Sequence, residues 1–490
     1  MPSINSAEDV VYNGHTIMGA YYNGELVWPS GGSADPPLSN APITLSAAPL
    51  SAPVFPITKA SNNRGFVDAN GNPFYGIADT AWQAVSRMTQ AEFTEYVMTR
   101  RSQGYTSVLI SVLDIRSRTR AQDASGQTPF TATGNSASLA SPLTSGSYSY
   151  WDHLEWVVDE CAAHGMLAVL VPCWYGGWGD MWRGHIAATA SDTSIATSYG
   201  TFLASLVGNR TNVWWLLGGD DGPTTDGNNV SGVPSGLPKV DVTAATNAMA
   251  TALKSGATVT QLMTYHTLRN DTAWTYFGTE SWYDMHAAYA DQNTAFRVTN
   301  EWQRGTMKPV FMVEAYYDMR QEAGLSAPYL SRLEERAEAW QSMLSGALMT
   351  ANGNEIVWAV KGQYGSFTWE DGIDSPSAND LRIQSRVFAT WPNKQFVADH
   401  ASPLISSGRM SGTSVAAGLI STDGKAAVVY FPSSRAATLN LSGFSSTPAL
   451  AWVHPETGAV TQISGTTTSG SFVLTYPAGW SDAILVAMAQ

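Results

Sequence analysis

Two carboxylates close two apolar runs: VWWLLGGD ends on Asp220 and PVFMVE ends on Glu314. A short apolar run bounded by turn residues reads as a buried strand. Each carboxyl would then stand at a strand end, partly desolvated, with a proton affinity set by its neighbours. Two carboxyls facing one cleft can cleave a glycosidic bond. One protonates the leaving oxygen while the other attacks or activates water. Aromatic residues accompany them: Trp82, Tyr265, Tyr316, Trp358, and Trp174 and Trp178 in the Gly-rich stretch WYGGWGDMW. Flat amphipathic rings of this kind can stack on sugars. Asp79, His266 and Asp284 complete the expected substrate contacts. His266, His286 and Asp284 could also be read as zinc ligands, but a substrate-contacting or structural role is the stronger expectation. There is no HExxH, no cysteine cluster, no phosphate loop and no G-x-S-x-G elbow, so neither metal nor cofactor is expected.

These residues need a frame. Strand candidates are Phe74–Asp79, Thr106–Leu113, Met166–Trp174, Val213–Asp220, Gln261–Leu268, Trp282–Ala287, Pro309–Tyr316 and Glu355–Val360. Amphipathic stretches separate most of them. The first opens with a capping box, Thr89 with Glu92, and stops at Gly104. Tyr150–His164 and Leu330–Ser345 are two more. Eight strand-then-helix units predict a (β/α)8 barrel over residues 59–398, with its active site at the C-terminal strand ends. A doubly wound open sheet is the alternative, but it calls for a Gly-rich nucleotide turn after the first strand, and none is present.

The flanks differ. Residues 1–30 repeat Tyr-Asn-Gly at 12–14 and 22–24, which predicts tight hairpins in a small β module. Its Tyr12, Tyr21, Tyr22, Val27 and Trp28 form an apolar load that calls for a partner. Residues 31–58 are rich in Ser, Pro and Ala and read as an extended linker. After residue 399, short alternating segments predict an antiparallel β-sandwich over 399–490. Its Trp452, Phe472 and Tyr476 are expected to be core or barrel-facing.

The chain has 490 residues, with 40 acidic and 26 basic side chains and a net charge of −14. That balance argues against a nucleic-acid partner. No apolar run is long enough to span a membrane. The N-terminus MPSINSAEDVVYNG has neither a basic nor an apolar signal region, so no secretory signal is expected. Cys161 and Cys173 are too few for a disulfide framework and read as buried thiols.

Several segments together resemble the apiosidase-like glycoside hydrolases, glycoside hydrolase family 140. They are GFVDANGNPFYGIADTAW, RRSQGYTSVLIS, NVWWLLGGD, TYHTL, WYDM and KPVFMVEAYYD. The C-terminal segments DGKAAVVYFP, AWVHPETGAV and SDAILVAM resemble the collagen-binding-type β-sandwich that follows the barrel in that family. The resemblance implies a retaining glycosidase with Asp220 as acid/base and Glu314 as nucleophile, and sugar contacts at Asp79, Trp82 and His266. The YNG repeat ending in LVWP resembles short β modules of phage tail proteins. That implies a virion-associated or extracellular-acting depolymerase, with residues 1–30 contacting other tail proteins or a second copy. The rival expectation is a non-catalytic adhesin that keeps the sugar groove. The presence of both carboxylates favours the enzyme.

Overall fold

The computed structural model describes residues 42–115, 122–133, 136–176, 182–224, 239–400, 404–463 and 470–489, with four short strands inside residues 10–26. The barrel strands are β1 (Gly76–Thr80), β2 (Ser107–Ser111), β3 (Leu167–Val171), β4 (Val213–Gly218), β5 (Met263–His266), β6 (His286–Tyr289), β7 (Val310–Glu314) and β8 (Met349–Asn352). All observed pairings are parallel, in the order 5-4-3-2-1-8-7-6. β1 pairs with both β2 and β8, which excludes the open doubly wound sheet. Buried on both faces, these strands read as nearly continuous apolar runs rather than alternating ones. Every residue of β4 is buried.

The ladder is interrupted between β5 and β6, and side chains bridge the seam. Asp284 lies just before β6. Its N–H donates to the Met263 carbonyl (2.9 Å) and its carboxylate accepts the Met263 N–H (3.0 Å). The Thr264 hydroxyl donates to the Met285 carbonyl at 2.7 Å.

The expected eighth strand is a correction. Glu355–Ala359 is a short helix, because the Asn354 side chain accepts the N–H groups of Ile356 and Val357 and caps it. The strand is the preceding Met349–Asn352. Trp358 therefore sits on a helix.

Principal helices are α1 (Gln90–Ser102), α2 (Tyr150–Ala163), α3 (Ser194–Val207), α4 (Thr243–Gly256), α5 (Thr294–Trp302), α6 (Arg332–Leu344) and α7 (Pro376–Ala389). Capping boxes open α1 (Thr89, Glu92), α2 (Ser149, Asp152) and α6 (Ser331, Glu334), satisfying N–H groups that have no partner inside the helix.

The C-terminal part is two antiparallel sheets. Six strands, in the spatial order Phe396–Ala398, Ala417–Ser421, Ala426–Phe431, Ala483–Met488, Ala449–Val453 and Val460–Ile463, face three others, Ile405–Ser407, Ala437–Asn440 and Ser471–Leu474. Phe431, Trp452 and Leu485 fill the space between the sheets, with Phe472 and Tyr476 packed against them. The other face of the large sheet joins the barrel core through Val428, Tyr430 and Ile484. Trp340 of α6 stacks on Tyr430, with centroids 5.9 Å apart.

A buried ion-pair group ties the same interface. Arg336, with 2 % of its side chain exposed, donates to both Asp482 oxygens and to Asp380, each at 2.8 Å. Tyr430 donates to Asp482 at 2.7 Å. Asp380 also takes Arg332, at 2.6 and 3.0 Å, but Asp482 has no other cation among the described residues, so removing Arg336 would leave a buried carboxylate without a counter-charge. Arg336→Met is therefore expected to lower stability by about 3–5 kcal/mol in denaturant titrations.

The stretch read as a linker is also corrected, from residue 42 onward. Ile43, Leu50 and Ile57 are buried. Gln462 of the sandwich bonds both the N–H (3.0 Å) and the carbonyl (2.7 Å) of Ile43. Arg386 of α7 donates to the Ser46 carbonyl (2.7 Å), and Arg101 of α1 to that of Leu50 (2.6 Å). Residues 42–57 are thus a strap whose backbone is satisfied by side chains of both domains. Residues 31–41 lie outside the described residues.

At the N-terminus, Val10–Tyr12 pairs with His15–Ile17 and Tyr21–Tyr22 with Glu25–Leu26. The two antiparallel pairings flank the two Asn-Gly dipeptides in sequence, which themselves lie outside the described residues.

Candidate active site

Asp220, His266 and Glu314 come together at the C-terminal mouth of the barrel. One carboxylate or ring atom from each lies within 4.8 Å of the others. The local sequence explains the placement of Asp220. β4 ends at Gly218 (φ 88°) and is followed by Gly219 (φ 120°) and Asp220 (φ 48°), three positive-φ residues in succession. Only Gly takes such angles freely, with Asp and Asn next. A Cβ on Gly219 would lie 2.4 Å from the Trp174 ring. The chain can therefore turn across Trp174 only with glycine there.

Glu314 ends β7 and His266 ends β5. The His266 Nε2 lies 2.8 Å from Glu314 Oε2, and the Asp220 N–H points at its Nδ1 at 3.3 Å. Burial disfavours charge on this ring. The hydrogen bond to Glu314, with the charges of Glu314 and Asp220, outweighs it and raises the His266 pKa. Burial, then the Glu314 charge, pushes Asp220 up from 3.8 to about 6, against the pull of His266 and a Tyr289 hydrogen bond. The Tyr317 hydroxyl bonds to Glu314 and accepts the Trp82 Nε1–H at 2.7 Å. The Tyr317 ring lies against Gly353, where a Cβ would come within 1.4 Å of it. Trp82 and Trp174 meet edge to face, 4.8 Å between centroids, and Trp174 and Tyr289 flank His266 at 5.2 and 4.9 Å.

Of the residues expected from sequence, Asp220, Glu314, His266, Trp82 and Trp174 are brought together here. Trp82 and Trp174 are each 2 % exposed, so they form walls of the site rather than open platforms. The others are placed elsewhere. Asp79 faces the helix layer, where it takes Arg100 Nε at 2.6 Å and the Tyr96 hydroxyl at 2.7 Å. Tyr265 faces away from its neighbour His266 and donates to the Asp221 carbonyl at 2.9 Å. Tyr316 packs under Arg320, 4.9 Å from its ring. Trp358 donates to Glu355 at 2.7 Å. Asp284 lies at the opposite, N-terminal end of the strands, paired with Lys254 and Lys59. Trp178 lies outside the described residues.

Tyr289 and Tyr317 were missed from sequence. Tyr317 had a signal, three residues after Glu314 in EAYYD. Tyr289 was hidden by the misplaced start of β6.

The three central residues have the chemistry of divalent-metal ligands. However, His266 Nε2 and Glu314 Oε2 already face each other at hydrogen-bond distance, an arrangement that orients a carboxylate as well. Across the mouth, one carboxyl carries a raised pKa and the other is gripped by two donors. The two carboxyls thus stand in different surroundings, as a pair with separate proton roles would require.

A near-closed parallel barrel with such a pair at its C-terminal mouth is the frame of a glycoside hydrolase. Residues 60–394 match the family model described as apiosidase-like, catalytic domain. The chain belongs to this apiosidase-like family and is a glycoside hydrolase. Among solved structures it is similar to a glycoside hydrolase family 5 protein from Bacteroides vulgatus ATCC 8482, at 20 % identity, over 89 % of this chain and 92 % of that one, TM-score 0.74. A second structure, described as a glycoside hydrolase, is similar at 20 % identity, over 91 % of this chain and 99 % of that one, TM-score 0.73. At such identities the likeness extends to the fold. No curated protein matches the chain. No helix among the described residues is long and apolar enough to cross a membrane.

Proposed function

We propose that the protein cleaves a polysaccharide or complex glycan with retention, by double displacement. The observation that carries this reading is the approach of Asp220 and Glu314 carboxylate oxygens to within 4.8 Å. Retaining enzymes hold their carboxyls about 5–5.5 Å apart, while inverting ones leave about 6.5–9.5 Å for a water. Glu314, oriented by His266 and Tyr317, attacks the anomeric carbon. Asp220 gives its proton to the departing oxygen. Asp220, now a carboxylate, then takes a proton from the water that displaces Glu314. Tyr317 also lines a cleft of about 390 Å³ with Arg320, Tyr329, Glu335 and Asp374, and the rest of the glycan would enter there. Incubation with bacterial capsule, lipopolysaccharide and pectin-derived glycans tests the reading. New reducing ends from at least one class are expected, and their absence from all three would count against it. Chelation with EDTA should leave the rate unchanged.

The same proposal gives residues 1–30 a delivery role, as an attachment module for a tail-associated or extracellular-acting depolymerase. Two-stranded hairpins are marginal alone in water, so these two antiparallel pairings need a partner. A chain starting at residue 42 keeps the strap. It is expected to retain the full hydrolytic rate and melting temperature while losing assembly, read as oligomer mass or incorporation into tails. Loss of activity in a folded barrel would assign the segment to catalysis instead.

A further inference from the structure

We infer that Arg183 is a positioning residue for the acid/base: from the loop after β3 it clamps the backbone that follows Asp220. The inference rests on the reading of Asp220 as proton donor. Asp220 is held at φ 48°, a conformation that relaxes unless its surroundings fix it. What fixes it is the next stretch of chain. The Arg183 side chain is 1 % exposed, and its Nη1 donates to Asp221 Oδ2 at 2.9 Å and to the Gly222 carbonyl at 2.5 Å. Its Nη2 donates to the carbonyls of Pro223 (2.8 Å), Thr224 (2.7 Å) and Val240 (3.1 Å). One planar fork thus serves five acceptors and joins the two ends of the 225–238 segment.

The loop that carries Arg183 is itself fixed to the site. Trp182 N–H bonds to the Trp174 carbonyl at 2.9 Å, and its Nε1 to the Asp114 carbonyl at 3.0 Å. The N–H groups of Tyr175 and Gly176 reach the carbonyls of Gly218 and Gly219 at 3.3 and 2.9 Å. Gly176 lies against the Asp221 carboxylate, so close that a Cβ there would be 2.5 Å from the Asp221 Cβ. Tyr265 holds the Asp221 carbonyl from the other side at 2.9 Å. Asp221 is thereby gripped from two elements, and Asp220 has little freedom to turn away from Glu314. A lysine at 183 would keep the charge but, with a single nitrogen, could not span these acceptors.

Arg183→Lys tests this in the full chain. With a glycan that the wild type cleaves, and with an aryl glycoside of the same sugar bearing an activated leaving group, the loss is expected to be about 100-fold on the first. It should be much smaller on the second, which needs little protonation. In the ligand-free protein, the carbon-13 titration of the Asp220 carboxyl, assigned by its loss in Asp220→Asn, should move from about 6 toward the ordinary carboxylate value as the group gains water and leaves Glu314. Guanidinium added to Arg183→Ala should restore part of the rate. Equal losses on both substrates, or an unmoved titration, would overturn the positioning role. If Arg183→Lys melts below the assay temperature, Asp221→Asn carries the same two readouts with a smaller loss. If Asp220→Asn itself shows no dependence on the leaving group, it is the acid/base assignment that fails.

Discussion

Replacing Glu314 by Gln is expected to cut turnover by about 10⁴-fold or more on every substrate, activated or not. The amide has the same volume and can still accept the His266 Nε2–H, which lies 2.8 Å from the present oxygen. The melting temperature should therefore stay close to wild type. What disappears is the negative charge that forms the covalent bond, and no leaving group compensates for that. A variant that lost activity only on poor leaving groups would place Glu314 in the acid role instead.

Asp220→Asn is expected to behave differently. On natural glycans the loss should be about 10²–10⁴-fold, the usual contribution of a general acid. On substrates with activated leaving groups, the first step should be nearly unimpaired. Asn tolerates the left-handed backbone that Asp220 occupies at φ 48°, so the variant should fold. The pH profile gives a second check. Asp220 titrates near 6, raised from 3.8 by burial and by Glu314. The protonated acid is the active form, so kcat/KM of the wild type should fall as pH rises through about 6. Asp220→Asn has no such proton to lose and should lack that limb.

The two carboxyls at the mouth were legible because of where they stand. Each carboxyl follows an apolar run that could only be a buried strand, and parallel barrels put such ends at one mouth. The sandwich was legible from its alternating segments, and the capping box at Thr89 from its spacing. Other features turned on single-residue shifts that a sequence does not carry. Tyr265 and His266 are neighbours on one strand, and the twofold side-chain period sends one to the helix layer and the other to the mouth. Asp79 faces outward to Arg100 for the same reason. Strand six was placed four residues early, at Trp282 instead of His286, which moved Asp284 from the foot of the barrel to its rim. The run EIVWAV has strand composition, but Asn354 caps it into a helix. The strap at 42–57 looks like a linker because it is rich in Ser, Pro and Ala. Its order comes from Gln462, Arg386 and Arg101, which lie far away in sequence.

The most direct test of the double-displacement reading is the stereochemistry of the first product. With any glycan that yields new reducing ends, proton NMR recorded within the first turnovers reports which anomer is released before mutarotation. Carboxylate oxygens within 4.8 Å predict the same anomeric configuration as the substrate bond. Release of the opposite anomer would contradict it, and would mean that Glu314 activates a water instead of forming a bond to the sugar.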